Sequence, residues 1–202
     1  MSRAREIADL GRGGTSGQII QVKHTQMTDQ LEFPQSADVY RTVVTNLFVD
    51  IRPSSTTNKV IVFAQLAVGF STTPEWSWFV DREASNTSGD VWVTQGASTT
   101  ADSMTESTRA LLGTKSSAGG QMYGYHGGPC DGAMNSTTDD IYSYVNVLED
   151  TPGTTNICRY QVNLQNLWSG VTTIYVNRSG NNANTGYTTS GSSAITAMEV
   201  IA

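Results

Sequence analysis

The residues best equipped for chemistry in this chain are two carboxylate pairs, Asp139-Asp140 and Glu149-Asp150, which bracket an alternating segment. Two carboxyl groups about 5 Å apart, or about 6.5–9.5 Å apart, are what glycoside hydrolysis requires. Both pairs stand beside turns, where acids are solvated without any further task, so hydrolysis is not the expected reading. Asp131 adds an acid near the first pair, but the spacing is not that of a calcium-binding loop. His24 and His126 are far apart and neither belongs to a His-x-x-x-His pattern, so no metal centre is expected. No Gly-x-Ser-x-Gly turn is present to activate a serine. Gly11-Arg12-Gly13-Gly14 lacks the Lys-Ser/Thr of a phosphate loop and reads as a linker. Cys130 and Cys158 are too few for a disulfide framework and are expected as reduced, buried thiols. A bridge between them would need Cα atoms within about 7 Å. The chain reads as a non-enzyme with no cofactor.

Recognition is the other chemistry to weigh. Trp76 and Trp78, two residues apart, share one face of a strand. Tyr123, Tyr125 and His126 fall around a Gly-rich turn, and Trp168 precedes Gly170. Exposed aromatic rings stack on sugars, so these six residues form a candidate receptor-binding set. The competing expectation, favoured for Trp76 and Trp78, is that such large aromatics fill a core or a subunit interface.

The composition limits the choices. The chain has 202 residues, a net charge of −6 and only 15% charged side chains. An acidic surface repels phosphate backbones, so no nucleic-acid partner is expected. No apolar run approaches the ~20 residues of a membrane span, and the N-terminus lacks the apolar stretch of a signal peptide. The sequons at Asn86, Asn135 and Asn177 therefore read as chance.

The elements that must position these residues are mostly strands. Residues 2–10 are the exception, with Ala4, Ile7 and Leu10 on one narrow apolar stripe of a predicted helix and Ala8 beside it. So short a helix is marginal alone and needs a docking partner. Residues 1–17 are thus read as a helical anchor and Gly-rich linker, and 18–202 as a β-domain. Strands are predicted at 18–24, 43–51, 59–69, 75–81, 91–94, 104–112, 140–149, 156–165, 172–177 and 193–201. The segment 59–69 is apolar enough to be buried on both faces. Residues 150–153 are expected to close a hairpin between 140–149 and 156–165, and 179–191 forms a long loop. Many short strands with few prolines predict an all-β, antiparallel, jelly-roll-like β-sandwich behind a short N-terminal helix.

Several segments also resemble one family. Asp50-Ile51-Arg52-Pro53-Ser54-Ser55-Thr56-Thr57-Asn58-Lys59-Val60-Ile61-Val62 resembles a recurrent hairpin of tailed-bacteriophage fibre proteins, common in phages of cyanobacteria and other marine hosts. Phe79-Val80-Asp81-Arg82 resembles the family's next strand. Tyr160-Gln161-Val162, Asn177 and the segment 193–200 resemble its C-terminal signature, and Ser2 to Leu10 a segment that precedes the domain in longer fibres. The resemblance implies a virion structural protein, typically homotrimeric, with its β-sandwich displayed outward and other virion proteins of tail, neck or capsid as partners. The chain departs from the long fibres in lacking a shaft. The leading expectation is therefore a short fibre or appendage subunit attached through its N-terminal helix. In a trimer, Ala4, Ile7, Ala8 and Leu10 would supply the anchoring or oligomerising contacts. The alternatives are a fibre-tip module binding a host surface glycan and a capsid decoration or cement protein.

Overall fold

The computed structural model describes residues 16–35, 42–70, 76–84, 109–112, 125–126, 141–166, 172–180 and 190–202. These residues are all-β, with eleven strands and no helix among them. The strands are β1 (Ile19–Met27), β2 (Leu31–Gln35), β3 (Thr42–Ile51), β4 (Lys59–Phe70), β5 (Trp76–Ala84), β6 (Arg109–Leu112), β7 (Tyr125–His126), β8 (Tyr142–Asp150), β9 (Cys158–Asn166), β10 (Thr172–Val176) and β11 (Ser193–Val200). The expected helix at 2–10 and strand at 91–94 lie outside the described residues. β2 was not anticipated. Its Pro34 argues against a strand, but β2 ends the order of its sheet, where a missing N–H is tolerated.

The strands form two antiparallel sheets. The first has the order β1-β11-β4-β10-β2, with β8 on the free side of β4; the second has the order β3-β9-β5-β6, with β7 also on β5. Pairing is nested: β1 meets β11, β3 meets β9, β4 meets β8 and β5 meets β6. The chain therefore changes sheet between β3 and β4, and again between β8 and β9. Two expected hairpins are corrected by this. Residues 52–58 and 151–157 do have turn chemistry, but each is an arch from one sheet to the other. Gly153, at φ 67°, supplies the left-handed residue of the second arch.

The inward faces of both sheets meet in a single apolar cluster that includes Leu66, Trp76, Trp78, Tyr160, Leu164, Ile174 and Ile195. Period-2 alternation sorts the side chains. In β9, Cys158, Tyr160, Val162 and Leu164 are fully buried on the core side, as their spacing predicted. β3 breaks the rule. Asn46 has φ 66° and the register shifts between Val43 and Phe48, so that Val44 and Leu47, three residues apart, both turn inward. β4 is covered on both faces only from Leu66 to Phe70; Phe63 and Gln65 are exposed, which corrects the reading of its whole length as buried. β11 is an interior strand between β1 and β4.

Candidate functional site

One end of the molecule is closed by side chains that bind the two arches. β11 places Glu199 on the core side, in the row of Ile195 and Ala197, and the residue is only 1% exposed. A carboxylate there must find donors. The arch supplies them: Glu199 Oε1 accepts from the Ser54 N–H at 2.6 Å, the Ser54 hydroxyl at 2.7 Å and Asn58 Nδ2 at 2.7 Å. Beside it, the Gly17 N–H donates to the Ile201 carbonyl and the Ile201 N–H to the Gln18 carbonyl. The β-unit thus begins and ends at the same corner.

The second arch rests on a buried polar group. Asp150 Oδ2 accepts from the Tyr160 hydroxyl at 2.8 Å and lies 2.8 Å from Arg82 Nε, in an ion pair without linear hydrogen-bond alignment. Arg82 Nη1 reaches the Pro152 carbonyl at 3.3 Å and so ties β5 to the arch. Burial pushes the Tyr160 phenol far above its ordinary value, and the Asp150 carboxylate adds to the shift. Burial likewise raises the Cys158 thiol, and the Arg82 charge partly offsets it. Cys158 is a free, buried thiol that donates to the Asn156 carbonyl at 3.6 Å, in line with its expected reduced state. Neither a raised thiol nor a raised phenol is poised as a nucleophile near neutral pH.

The opposite end is organised by Asn177. Its φ of 62° turns the chain after β10, and its amide donates to the Met27 and Asp29 carbonyls at 2.9 and 3.0 Å. Its Oδ1 accepts from Ser193 Oγ, which in turn accepts from the Ala67 N–H. Asn177 is fully buried and committed to these bonds, so its sequon is not an accessible glycan acceptor in the folded domain. Gly69 lies against this turn; a Cβ there would stand 2.5 Å from the Arg178 carbonyl.

The residues singled out for chemistry are dispersed. Glu149 and Asp150 project to opposite faces of β8: Glu149 is exposed and pairs with Lys59 at 2.7 Å, whereas Asp150 is buried. They do not converge on one substrate. Asp131, Asp139, Asp140 and Cys130 lie outside the described residues. His24 is exposed on β1 and hydrogen-bonded to Thr196 at 2.8 Å. No cluster of metal-ligating side chains occurs among the described residues.

The proposed aromatic set is corrected in part. Trp76 and Trp78 are 0% and 1% exposed, so neither offers a ring face to a sugar. Trp76 packs instead on Phe70 at 5.1 Å and edge-on to Tyr144 at 5.4 Å. Tyr125 and His126 pair as β7 with Trp78 and Ser77 of β5, which fixes their backbone register. Tyr123 and Trp168, like Ala4, Ile7, Ala8 and Leu10 of the anchor, lie outside the described residues.

The feature that the sequence reading missed is an open apolar face. On the outward side of the first sheet, Val145, Val22, Val147 and Phe63 are 66%, 55%, 52% and 40% exposed. Val22 pairs with Met198, Met198 with Ile61, and Phe63 with Val147, so the patch runs without a break across β1, β11, β4 and β8. A signal was available in the valines alternating with Tyr144 and Asn146 in 142–149. An arrangement like this can dock a surface but holds no groups for bond-breaking chemistry.

No protein-family model matches the chain, and no curated protein matches its sequence.

Proposed function

We propose that this chain is a bacteriophage virion structural protein, a short fibre or appendage subunit that attaches through its N-terminal segment and works as a homotrimer. The nested strand pairing carries the reading. With β2, β7 and β10 set aside, the two sheets run β1-β11-β4-β8 and β3-β9-β5-β6. First pairs with last, second with next to last, and so inward. That is the order of an eight-stranded jelly roll, and we read the two sheets as a sandwich of that type. Jelly rolls serve in viral capsids and in lectins, which is support by analogy of fold.

Two further observations support a displayed module. Gly17 and Ile201 are clamped together, so the first described residues of the β-unit lie at the corner that holds the two arches. The arches at that end are fastened by Glu199 and Arg82, which gives the attachment end a stiff base. The burial of Trp76 and Trp78 removes two members of the sugar-stacking set and weighs against a glycan-binding role through them.

The test is immunogold labelling of purified particles whose genome encodes this chain. The expected result is label at discrete positions on intact particles, lost when residues 1–12 are deleted. Particles free of the protein, with all of it left in the soluble lysate, would overturn the reading.

A further inference from the structure

We infer that the free edges of the first sheet are closed to strand addition, β1 by Lys23 and β8 by Asn146, and that removing either closure lets a second copy of this chain pair there edge to edge. The inference stands apart from the virion reading, since it concerns the β-unit alone.

Both strands present an open edge. Among the described residues β1 pairs with β11 alone and β8 with β4 alone, so each leaves one row of backbone N–H and C=O groups outside any ladder. Such a row is a template for another chain's strand. β1 is nine residues long, and Ile19, Ile20 and Val22 are exposed on it. β8 has the same length, with Val145 and Val147 exposed.

A residue in the middle of each strand opposes that pairing. Directly opposite residues of an antiparallel pair point to the same face. Lys23 lies opposite Ala197 and Asn146 opposite Ala64, and both alanines are fully buried in the core cluster. Each edge strand therefore puts a polar side chain on its core side. Lys23 is exposed there nonetheless, at the end of its sheet. A strand added beyond β1 would take the ammonium out of water, and a buried charge without a partner is costly. The β1 of a second copy supplies no such partner: from Ile19 to Met27 it has no acidic residue. His24, on the outward side and bonded to Thr196, supplies none either.

Asn146 acts on the backbone instead. Its Oδ1 accepts from the Val147 N–H at 2.9 Å, so that donor is satisfied within β8 and turned away from β4. An arriving strand has to break this bond first. At the far end of the sheet, β2 carries Pro34, which has no N–H to offer, and its register with β10 runs through the proline without a shift. The three edges have unlike sequences, yet each carries an obstacle to the same event.

Light scattering over a dilution series, with hydrogen exchange on the full chain, tests this. In the wild type, the amides of β1 and β8 that point away from β11 and β4 should exchange about a hundredfold faster than their neighbours in the ladders. K23V and N146V should each form species larger than the wild type that grow with concentration, and the free-edge amides of the changed strand should slow. K23V also removes a positive charge from a molecule of net charge −6, so overall repulsion between copies rises and a gain in association reports the edge itself. K23T, which repeats the residue type of Thr25 on the same face, should associate as well and covers the case of a K23V chain that fails to fold. K23R keeps the charge and N146D keeps the acceptor, so both should hold the wild-type mass. Folded K23T and N146V chains that keep the wild-type mass at every concentration overturn the inference. Slow free-edge amides in the wild type overturn it too, since the edges would then already be paired. A gain in the Lys23 variants alone overturns the part assigned to Asn146.

Discussion

Ser54 is joined twice to Glu199, through its backbone N–H at 2.6 Å and its hydroxyl at 2.7 Å, across 145 residues of sequence. The arch between β3 and β4 is thereby fastened to the last strand of the chain. Ser54→Ala removes the hydroxyl but leaves the backbone bond, and should cost about 1–2 kcal/mol. Glu199→Ala strips the acceptor from Ser54 and Asn58 together and should cost more, about 3 kcal/mol, because the Ser54 N–H and hydroxyl and the buried Asn58 amide all lose a charged acceptor. The two losses should not add. In urea unfolding, S54A/E199A should fall short of the sum of the single variants by at least about 0.5 kcal/mol. Simple additivity would mean that the two side chains do not act as one lock.

The second arch depends on Arg82. Its guanidinium compensates Asp150 and holds the Pro152 carbonyl, and both charged groups are largely buried. Arg82→Met keeps much of the side-chain volume but leaves the carboxylate without its cation. A buried pair broken from one side costs about 3–5 kcal/mol. Removing both charges in R82M/D150N should restore part of this loss. A double variant no more stable than R82M would argue that the Pro152 contact, and not the ion pair, carries the effect.

Stability should fall in alkali. The ordinary values are 9.0 for the Cys158 thiol and 10.0 for the Tyr160 phenol, and burial raises both in the folded protein. Above those ordinary values the unfolded chain has released protons that the folded chain still holds. The unfolded state then binds fewer protons, and unfolding free energy declines as pH rises. The stabilisation is complete below about pH 9, declines first through Cys158, and then also through Tyr160 from about pH 10. Each group contributes a slope of about 1.4 kcal/mol per pH unit within its window. Unfolding midpoints at pH 8, 9.5 and 11 check this. Tyr160→Phe should flatten the slope above pH 10, and Cys158→Ala the slope between pH 9 and 10. Slopes unchanged by either variant would refute the assignment.

Local pattern was a good guide to the strands and a poor one to their partners. The alternation in 156–165 correctly turned Cys158, Tyr160, Val162 and Leu164 toward the core, because a strand's period of two is a local property. Which strand lies alongside is not. Ile19 pairs with Val200, and the turn-like Asp150-Thr151-Pro152-Gly153 gives no sign that the next strand joins the other sheet. Both expected hairpins failed for this reason. Glu199 is legible in the sequence: an acid in a row with Ile195 and Ala197 demands a hydrogen-bond donor, and the Ser-rich turn at 54–57 is a candidate source. The apolar face could not be foreseen from β4, since Phe63 and Val62 read alike until their coverings are known.

Trp76 separates a structural role from a recognition role. Its ring is fully buried between Phe70 and Tyr144, at the end of the core where β5 begins next to the last residues of β9. Trp76→Ala should empty a large volume that the surrounding strands refill only in part. Truncations of this kind cost about 3–5 kcal/mol. The indole N–H finds no acceptor among the described residues, so Trp76→Phe gives up no hydrogen bond there and should cost clearly less than Trp76→Ala. A sugar-stacking residue would behave in the opposite way: its loss would leave the melting temperature unchanged and abolish glycan binding. Thermal unfolding of the two variants, alongside glycan-array binding of the wild type and W76F, distinguishes these. A W76A chain that melts with the wild type would place Trp76 outside the core.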